Sequence, residues 1–319
     1  MKKPNVFVTR RVAAEVISLL EEVAEVEVWE EESAVPRDVL MEKAKEADAL
    51  FTMLTEKVDE EVLANASQLR IVANMAVGYD NIDVNAAKSR GVIVTNTPDV
   101  LTEATADLVF ALLLATGRRL IEANRFLHNG EWSTWNPYLL AGQRCHGATL
   151  GLIGMGRIGE AVAKRAKGFD MQILYHNRRR RTEVEEALGA RYVDLDELLR
   201  QADYVVVLTP LTAETRGLIG ERELSLMKET AVFINASRGG TVDEQALYRA
   251  LVEKRIWAAG LDVFQTEPVP VDHPLLTLPN VVALPHIGSA TYETRNQMAR
   301  LAAENIAAVL TGKEPLTPV

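Results

Sequence analysis

Cysteine is almost absent: Cys145 is the single example in 319 residues. An internal disulfide is therefore excluded, and no thiolate metal site can be assembled without a second Cys nearby. Cys145 is left with a packing role. Long apolar runs are missing too. The longest, ADLVFALLLATG at 106–117, is too short to span a bilayer and fits a buried helix. The opening MKKPNVFVTRR has positive residues but no apolar stretch of signal-peptide length. The expected location is cytoplasmic, away from membranes. Positive charge is in deficit, with 35 Lys and Arg against 45 Asp and Glu and a formal net charge of −10. Such a chain lacks the basic face that nucleic acid would need. Sequence repeats and low-complexity tracts are also missing.

What is present alternates. NVFVT (5–9), EVEVW (25–29), ALFTML (49–54), RIVANM (70–75) and VIVTN (92–96) are apolar, β-branched runs, separated by helical patterns such as 12–23 and 37–47. Residues 97–120 are expected to form one long helix leading into a second block. That block repeats the pattern, with strands expected at 149–154, 171–176, 204–209, 231–236, 257–263 and 281–286. Strand–helix alternation implies parallel sheets covered on both faces, and the length suits two α/β domains. The last helix, near 290–311, has nothing of its own to pair with and is expected to return to the first block.

GLIGMGRIGEAVAKRAKGF holds the most legible motif, with Gly154, Gly156 and Gly159 following a strand and opening a helix. The first glycine permits the tight turn, the second admits a pyrophosphate to the backbone, and the third allows close helix–strand packing. With Met155, Arg157 and Ile158 between them, the loop is a candidate dinucleotide cradle at a helix N-terminus.

An NAD site usually has Asp or Glu at the end of the next strand, where it receives the ribose hydroxyls. Here that place falls at His176 or Asn177, followed by Arg178, Arg179, Arg180 and Arg181. A carboxylate would repel a 2′-phosphate, whereas guanidinium groups grip one. Asn177, Arg178 and Arg179 are therefore the candidate phosphate contacts, and Arg180 and Arg181 are read as a solvated charge run. The expected cofactor is NADP(H), with NAD(H) as the alternative.

Further along stand VGYDNID (77–83), TPDVLTEATAD (97–107), LTPLTAETRGLI (208–219), NASRGGTVDEQAL (235–247), AGLDVFQTEP (259–268) and PHIGSAT (285–291). With these the chain resembles the D-isomer-specific 2-hydroxyacid dehydrogenase family over almost its whole length, and within it the glyoxylate/hydroxypyruvate (2-ketogluconate) reductases. The resemblance implies two doubly wound parallel-sheet domains. One would be a flavodoxin-like substrate domain (1–98 plus 289–319), the other a Rossmann cofactor domain (99–288), with the active site in the cleft between them.

It also implies a catalytic trio of Arg238, Glu267 and His286. Each residue type suits its role. A guanidinium matches a planar 2-keto acid, and an imidazole donates the proton as hydride arrives. A neighbouring carboxylate orients that imidazole and favours its protonated form. By the same resemblance, backbone amides at Val77 and Gly78 bind the substrate carboxylate. Pro210, Ala236, Asp262, His286 and Gly288 border the cofactor. Trp135 reaches a partner's substrate pocket, which would make a homodimer. No metal is expected; Asp80 and Asp83 read as turn and capping residues.

The implied reaction is NADPH-driven reduction of glyoxylate or hydroxypyruvate, with 2-ketogluconate as a further candidate substrate. D-Lactate and phosphoglycerate dehydrogenases share the trio but usually keep the acidic ribose residue. A dinucleotide-sensing scaffold without turnover would share every motif.

Overall fold

The computed structural model describes residues 3–319. The chain divides into two compact units, Met1–Leu101 with Ala290–Val319, and Thr102–Ser289. The cuts fall just beyond the expected 98/99 and 288/289.

The first unit runs β1 (Asn5–Val8), α1 (Ala14–Glu21), β2 (Glu25–Val28), α2 (Arg37–Glu46), β3 (Ala49–Thr52), α3 (Glu60–Asn65), β4 (Ile71–Asn74), α4 (Val84–Ser89) and β5 (Ile93–Thr95). Its five strands are parallel in the order β2-β1-β3-β4-β5, a flavodoxin-like winding. β3 and β4 are buried along their whole length because helices cover both faces. The edge strand β2 instead alternates Glu and Val, with its glutamates exposed.

The second unit opens with α5 (Thr102–Gly117) and α6 (Leu120–His128). It continues through β6 (Thr149–Ile153), α7 (Arg157–Lys167), β7 (Gln172–His176), α8 (Thr182–Leu188), β8 (Arg191–Tyr192), α9 (Leu195–Gln201) and β9 (Tyr204–Val207). Then come α10 (Glu221–Leu226), β10 (Val232–Asn235), a 3-10 turn (Gly239–Thr241), α11 (Glu244–Val252), β11 (Ala258–Leu261), a second 3-10 turn (Pro274–Thr277) and β12 (Val281–Ala283). All seven strands are parallel, ordered β12-β11-β10-β9-β6-β7-β8. The order reverses between β6 and β9, the switch point outside which open α/β sheets bind ligands.

The final helix, α12 (Tyr292–Leu310), returns to the first unit. Its Ala299, Ala302, Ala303 and Ile306 fall on one helical face and share a buried cluster with Val6, Val8, Phe51, Ile71 and Ala73 of the sheet. Among the described residues, no helix is long and apolar enough to cross a membrane.

The helix expected at 97–120 is shorter at both ends. Asp99 has φ 70, and the Val100 amide bonds back to the Pro98 carbonyl at 2.8 Å, so a tight turn precedes Thr102. After Gly117, Arg119 takes a left-handed φ of 55 and breaks the run before α6, which the sequence reading missed. Cys145 packs as expected. It is buried with its Sγ 3.0 Å from the Tyr204 hydroxyl, and burial pushes its thiol up, away from reactivity.

Candidate active site

The glycine loop joins β6 to α7. Gly154 has φ 104, and a side chain there would also meet the Leu208–Thr209 backbone at 2.9–3.0 Å. A Cβ on Gly159 would lie 2.4 Å from the Gly154 carbonyl oxygen, so only glycine lets α7 start this close to the loop. At Gly156 a Cβ would meet nothing within 4 Å. Two glycines are thus required by the protein itself, while the third faces open space at the N-cap of α7, where a phosphate would approach. Nearby, Thr209 Oγ1 is buried without a hydrogen-bond partner among the described residues. A pyrophosphate fits this cradle, whose first helical turn leaves backbone amides without acceptors inside the helix.

The arginine loop follows β7, and the structure sorts its members. Arg180 forks onto Glu185, with Nε at 2.8 Å from Oε1 and an Nη at 2.7 Å from Oε2. Tyr175, fully buried, donates its hydroxyl proton to Glu185 at 2.6 Å and accepts the Arg181 amide at 2.7 Å. Burial, followed by the Glu185 hydrogen bond, pushes Tyr175 up to about 12, and Arg180 and Tyr175 hold Glu185 down at about 2. Arg181 bonds Glu183, lies 3.7 Å from Glu160 and donates to the Met155 carbonyl at 3.1 Å.

Arg180 is solvated as read, its side chain 62% exposed although paired with Glu185, but the same reading is corrected for Arg181, which is half-buried and props the glycine loop itself. Arg178 and Arg179 are exposed and form no ion pair within 4 Å among the described residues. Arg178 does help the Thr212 hydroxyl hold Glu214 below its usual range. Asn177 braces the turn by donating to the Arg179 carbonyl at 3.0 Å. His176 places its Nδ1 3.1 Å from the Val193 carbonyl.

The expected trio comes from the carboxyl ends of three neighbouring strands. Arg238 follows β10, and its carbonyl accepts the Asn235 side-chain amide at 3.1 Å and the Thr241 hydroxyl at 2.7 Å. Glu267 lies beyond β11; one of its oxygens accepts the Phe264 amide at 2.9 Å and the other sits 2.7 Å from His286 Nδ1. A carboxylate only accepts, so Nδ1 carries the proton, and the opposite nitrogen, Nε2, takes no part in this pair. His286 follows β12 with φ 52, a left-handed backbone uncommon outside glycine. Asp262, 1% exposed, holds it there: its carbonyl accepts the His286 amide at 2.9 Å and its carboxylate the Ile287 amide at 2.8 Å.

The Arg238 and Glu267 segments interlock. A Cβ on Gly239 would fall 1.9 Å from the Phe264 carbonyl carbon and 2.2 Å from the Gln265 nitrogen. Gly288 is buried against Asp262, Ala236 is half-buried at the end of β10, and Pro210 is exposed, its carbonyl accepting the Thr215 hydroxyl at 2.6 Å.

In the first unit, the carbonyls of Val77 and Gly78 are tied down by the Asn96 and Asn74 side chains, each at 2.9 Å. Asp83 caps α4 through the Ala86 amide at 2.9 Å. Trp135 is 76% exposed. Among the described residues, no group of three or more His, Cys, Asp or Glu is placed to hold a metal ion.

Two carboxyls of the site shift in opposite directions. Burial works to raise the Glu267 pKa. It is outweighed by the His286 hydrogen bond and charge, the Phe264 amide and the Arg238 charge, which hold the group below its usual range. Burial raises Asp262, and its backbone bonds and the His286 charge only partly offset this. A depressed carboxyl stabilises the fold above its unfolded pKa and loses that contribution as pH falls through the folded value. A raised one costs stability as pH climbs from the unfolded pKa through the folded one. Glu267→Gln is therefore expected to lower stability at neutral pH and to shrink the loss on acidification below about pH 4.3. Asp262→Asn keeps an acceptor for Ile287 but turns an NH2 group toward the Gly288 amide, so beyond that constant cost it should gain stability relative to wild type as pH rises, opposite in sign to the pH trend of Glu267→Gln. Urea unfolding across pH reads both, and the same sign in the two variants would refute the assignment.

A family profile described as the D-isomer specific 2-hydroxyacid dehydrogenase, NAD binding domain, matches residues 110–288. The chain is 54% identical to a glyoxylate reductase of Thermococcus gammatolerans, over 99% of this chain and 96% of the relative. It is 53% identical to one of Pyrococcus furiosus, over 99% and 95%. An NADPH-dependent glyoxylate/hydroxypyruvate reductase of Sinorhizobium meliloti, solved with NADP and malonate, superposes with a TM-score of 0.85 at 38% identity, covering 100% of this chain and 97% of that one. A glyoxylate reductase crystal structure from Paecilomyes thermophila gives a TM-score of 0.89 at 34% identity, covering 100% of this chain and 99% of that one. With the profile spanning the dinucleotide-binding unit and relatives above half identity along the whole length, the chain belongs to the D-isomer-specific 2-hydroxyacid dehydrogenase family.

Proposed function

We propose that this protein is an NADPH-dependent reductase of small 2-keto acids, glyoxylate first, with hydroxypyruvate and 2-ketogluconate as further candidates. The observation that carries the reading is the His286–Glu267 pair at 2.7 Å, with Arg238 near enough for its charge to act on Glu267. The names of the relatives favour glyoxylate. When bound, the dinucleotide supplies the hydride. Arg238 orients the acid through its carboxylate and carbonyl, and the Val77 and Gly78 amides are assigned to the carboxylate. His286 Nε2 gives its proton to the carbonyl oxygen. Glu267 keeps Nδ1–H in place before and after the transfer, so the ring need not turn between states.

Gly154, Met155, Gly156, Arg157, Ile158 and Gly159 are assigned to the pyrophosphate. Pro210, Ala236, Asp262 and Gly288 are assigned to the nicotinamide side. Asn177, Arg178 and Arg179 are assigned to the 2′-phosphate, a role that Arg180 and Arg181, already engaged by carboxylates, do not share. A second copy of the chain is proposed to cover the exposed Leu120, Leu127, Trp132, Trp135 and Tyr138, with Trp135 reaching the partner's substrate.

The test is a kcat/KM grid of NADPH and NADH against glyoxylate, hydroxypyruvate, pyruvate and 2-ketogluconate. Arg178→Ala should lower the NADPH:NADH ratio about thirtyfold, equivalent to roughly 2 kcal/mol from one charge-assisted contact. Arg181→Ala, which removes the prop under Met155, should weaken both cofactors and leave the ratio within about twofold. If Arg178→Ala keeps the wild-type ratio, the phosphate is bound elsewhere.

A further inference from the structure

A second histidine–carboxylate pair lies outside the trio. His273 Nε2 is 3.2 Å from Glu244 Oε2, with side chains 19% and 13% exposed. Glu244 opens α11, a helix fixed by Asp243, which accepts the Gln245 and Ala246 amides at 3.0 Å. The other Glu244 oxygen accepts the Gln265 amide at 2.7 Å, and the Gln265 side chain donates to the Val242 carbonyl at 2.6 Å.

These contacts converge on the segment that presents Glu267. Phe264, whose amide bonds Glu267, meets the His273 ring edge-on with centroids 5.8 Å apart. His273 Nδ1 is buried without a hydrogen-bond partner among the described residues. Only Nε2 therefore makes a polar contact, and the carboxylate beside it fixes the proton there. A ring wired on one side only cannot relay protons. It can hold a carboxylate still.

We propose that Glu244 and His273 are positioning residues for the Glu267–His286 pair, clamping residues 264–267 so that Glu267 meets the imidazole in one orientation. The inference rests on the reading of that pair as the proton donor. Neither residue touches reacting atoms; both act through the Gln265 amide and the Phe264 ring. Site geometry of this kind has to be held to about 0.5 Å, and loose orientation lowers the rate without weakening cofactor binding.

The test compares His273→Phe, which keeps the ring and its contact with Phe264 but loses the donor, with His273→Gln, which keeps a donor. For the Phe variant we expect kcat/KM for glyoxylate to fall about tenfold or more, with the NADPH Kd within about twofold of wild type. The acid limb of its pH profile should move to higher pH. Glu267, faced by His286, Arg238, Asp262 and the Phe264 amide, loses part of what holds its carboxyl low. The Gln variant should recover most of the rate.

Faster deuterium exchange at the Phe264 and Gln265 amides should accompany the Phe change, and this reads the clamp without any turnover. Should His273→Phe not fold, Glu244→Gln is measured the same way. An unchanged kcat/KM, an unmoved acid limb or a Kd that rises in proportion to the lost rate would each overturn the proposal. Wild-type turnover is the control. If it is absent, the reading of the trio has failed; if it is present, a silent variant counts against the clamp alone.

Discussion

His286→Asn is expected to lower kcat for glyoxylate reduction about a hundredfold to ten-thousandfold, the range a positioned general acid supplies, while KM changes little. The substitution is chosen for the backbone. His286 sits at φ 52, where Asn is among the few non-glycine residues at ease, so the Asp262 contacts that set the turn should survive. Asn can also still bond Glu267. What it lacks is a proton to give at the position of Nε2. Binding of the acid through Arg238 does not depend on that proton, so the loss should fall on kcat and kcat/KM equally. Steady-state kinetics with saturating NADPH decides it: kcat within about tenfold of wild type would mean that the proton comes from elsewhere.

Gly239→Ala is expected to be the most damaging single-carbon addition in the site. The new Cβ would lie 1.9 Å from the Phe264 carbonyl carbon, and backbone on both sides leaves no flexible side chain to yield. We expect a stability loss of about 3 kcal/mol or more, and at least a hundredfold loss of activity in whatever folds, because the displaced segment carries Glu267. Gly156→Ala is the control. Its Cβ meets nothing within 4 Å, so urea unfolding should move by no more than the roughly 1 kcal/mol of an N-cap change, while the dinucleotide Kd rises. A tolerated Ala at 239 would show that the Arg238 and Glu267 segments are not interlocked.

The glycine loop was legible because each glycine answers a local demand that survives in one dimension: a turn, an approach, a helix start. The strand–helix alternation was legible for a similar reason, since buried parallel strands must be apolar on both faces. The break at Asp99 was written in Pro98 and Asp99, a turn pair that was read through as helix, whereas the break at Arg119 was hidden, because left-handed backbone falls there on a residue that does not advertise it. The four arginines look alike in sequence. They separate only when α8 brings Glu183 and Glu185 back to the loop and β6 delivers the Met155 carbonyl. Glu244 and His273 stand 29 residues apart, and nothing local links them until α11 and the 264–273 segment are packed.

The return of α12 to the first sheet governs the order in which the protein can mature on the ribosome. The unit from Thr102 to Ser289 is one uninterrupted stretch and can finish folding while the tail is still being synthesised. The first unit's sheet has Val16 and Leu20 of α1 on one part of its apolar face, but the rest waits until Ala299, Ala302 and Ile306 emerge to cover it. The sheet that is translated first is thus the last to be sealed, and a chain released from the ribosome without its last helix would carry a complete second unit together with an incompletely covered, aggregation-prone sheet.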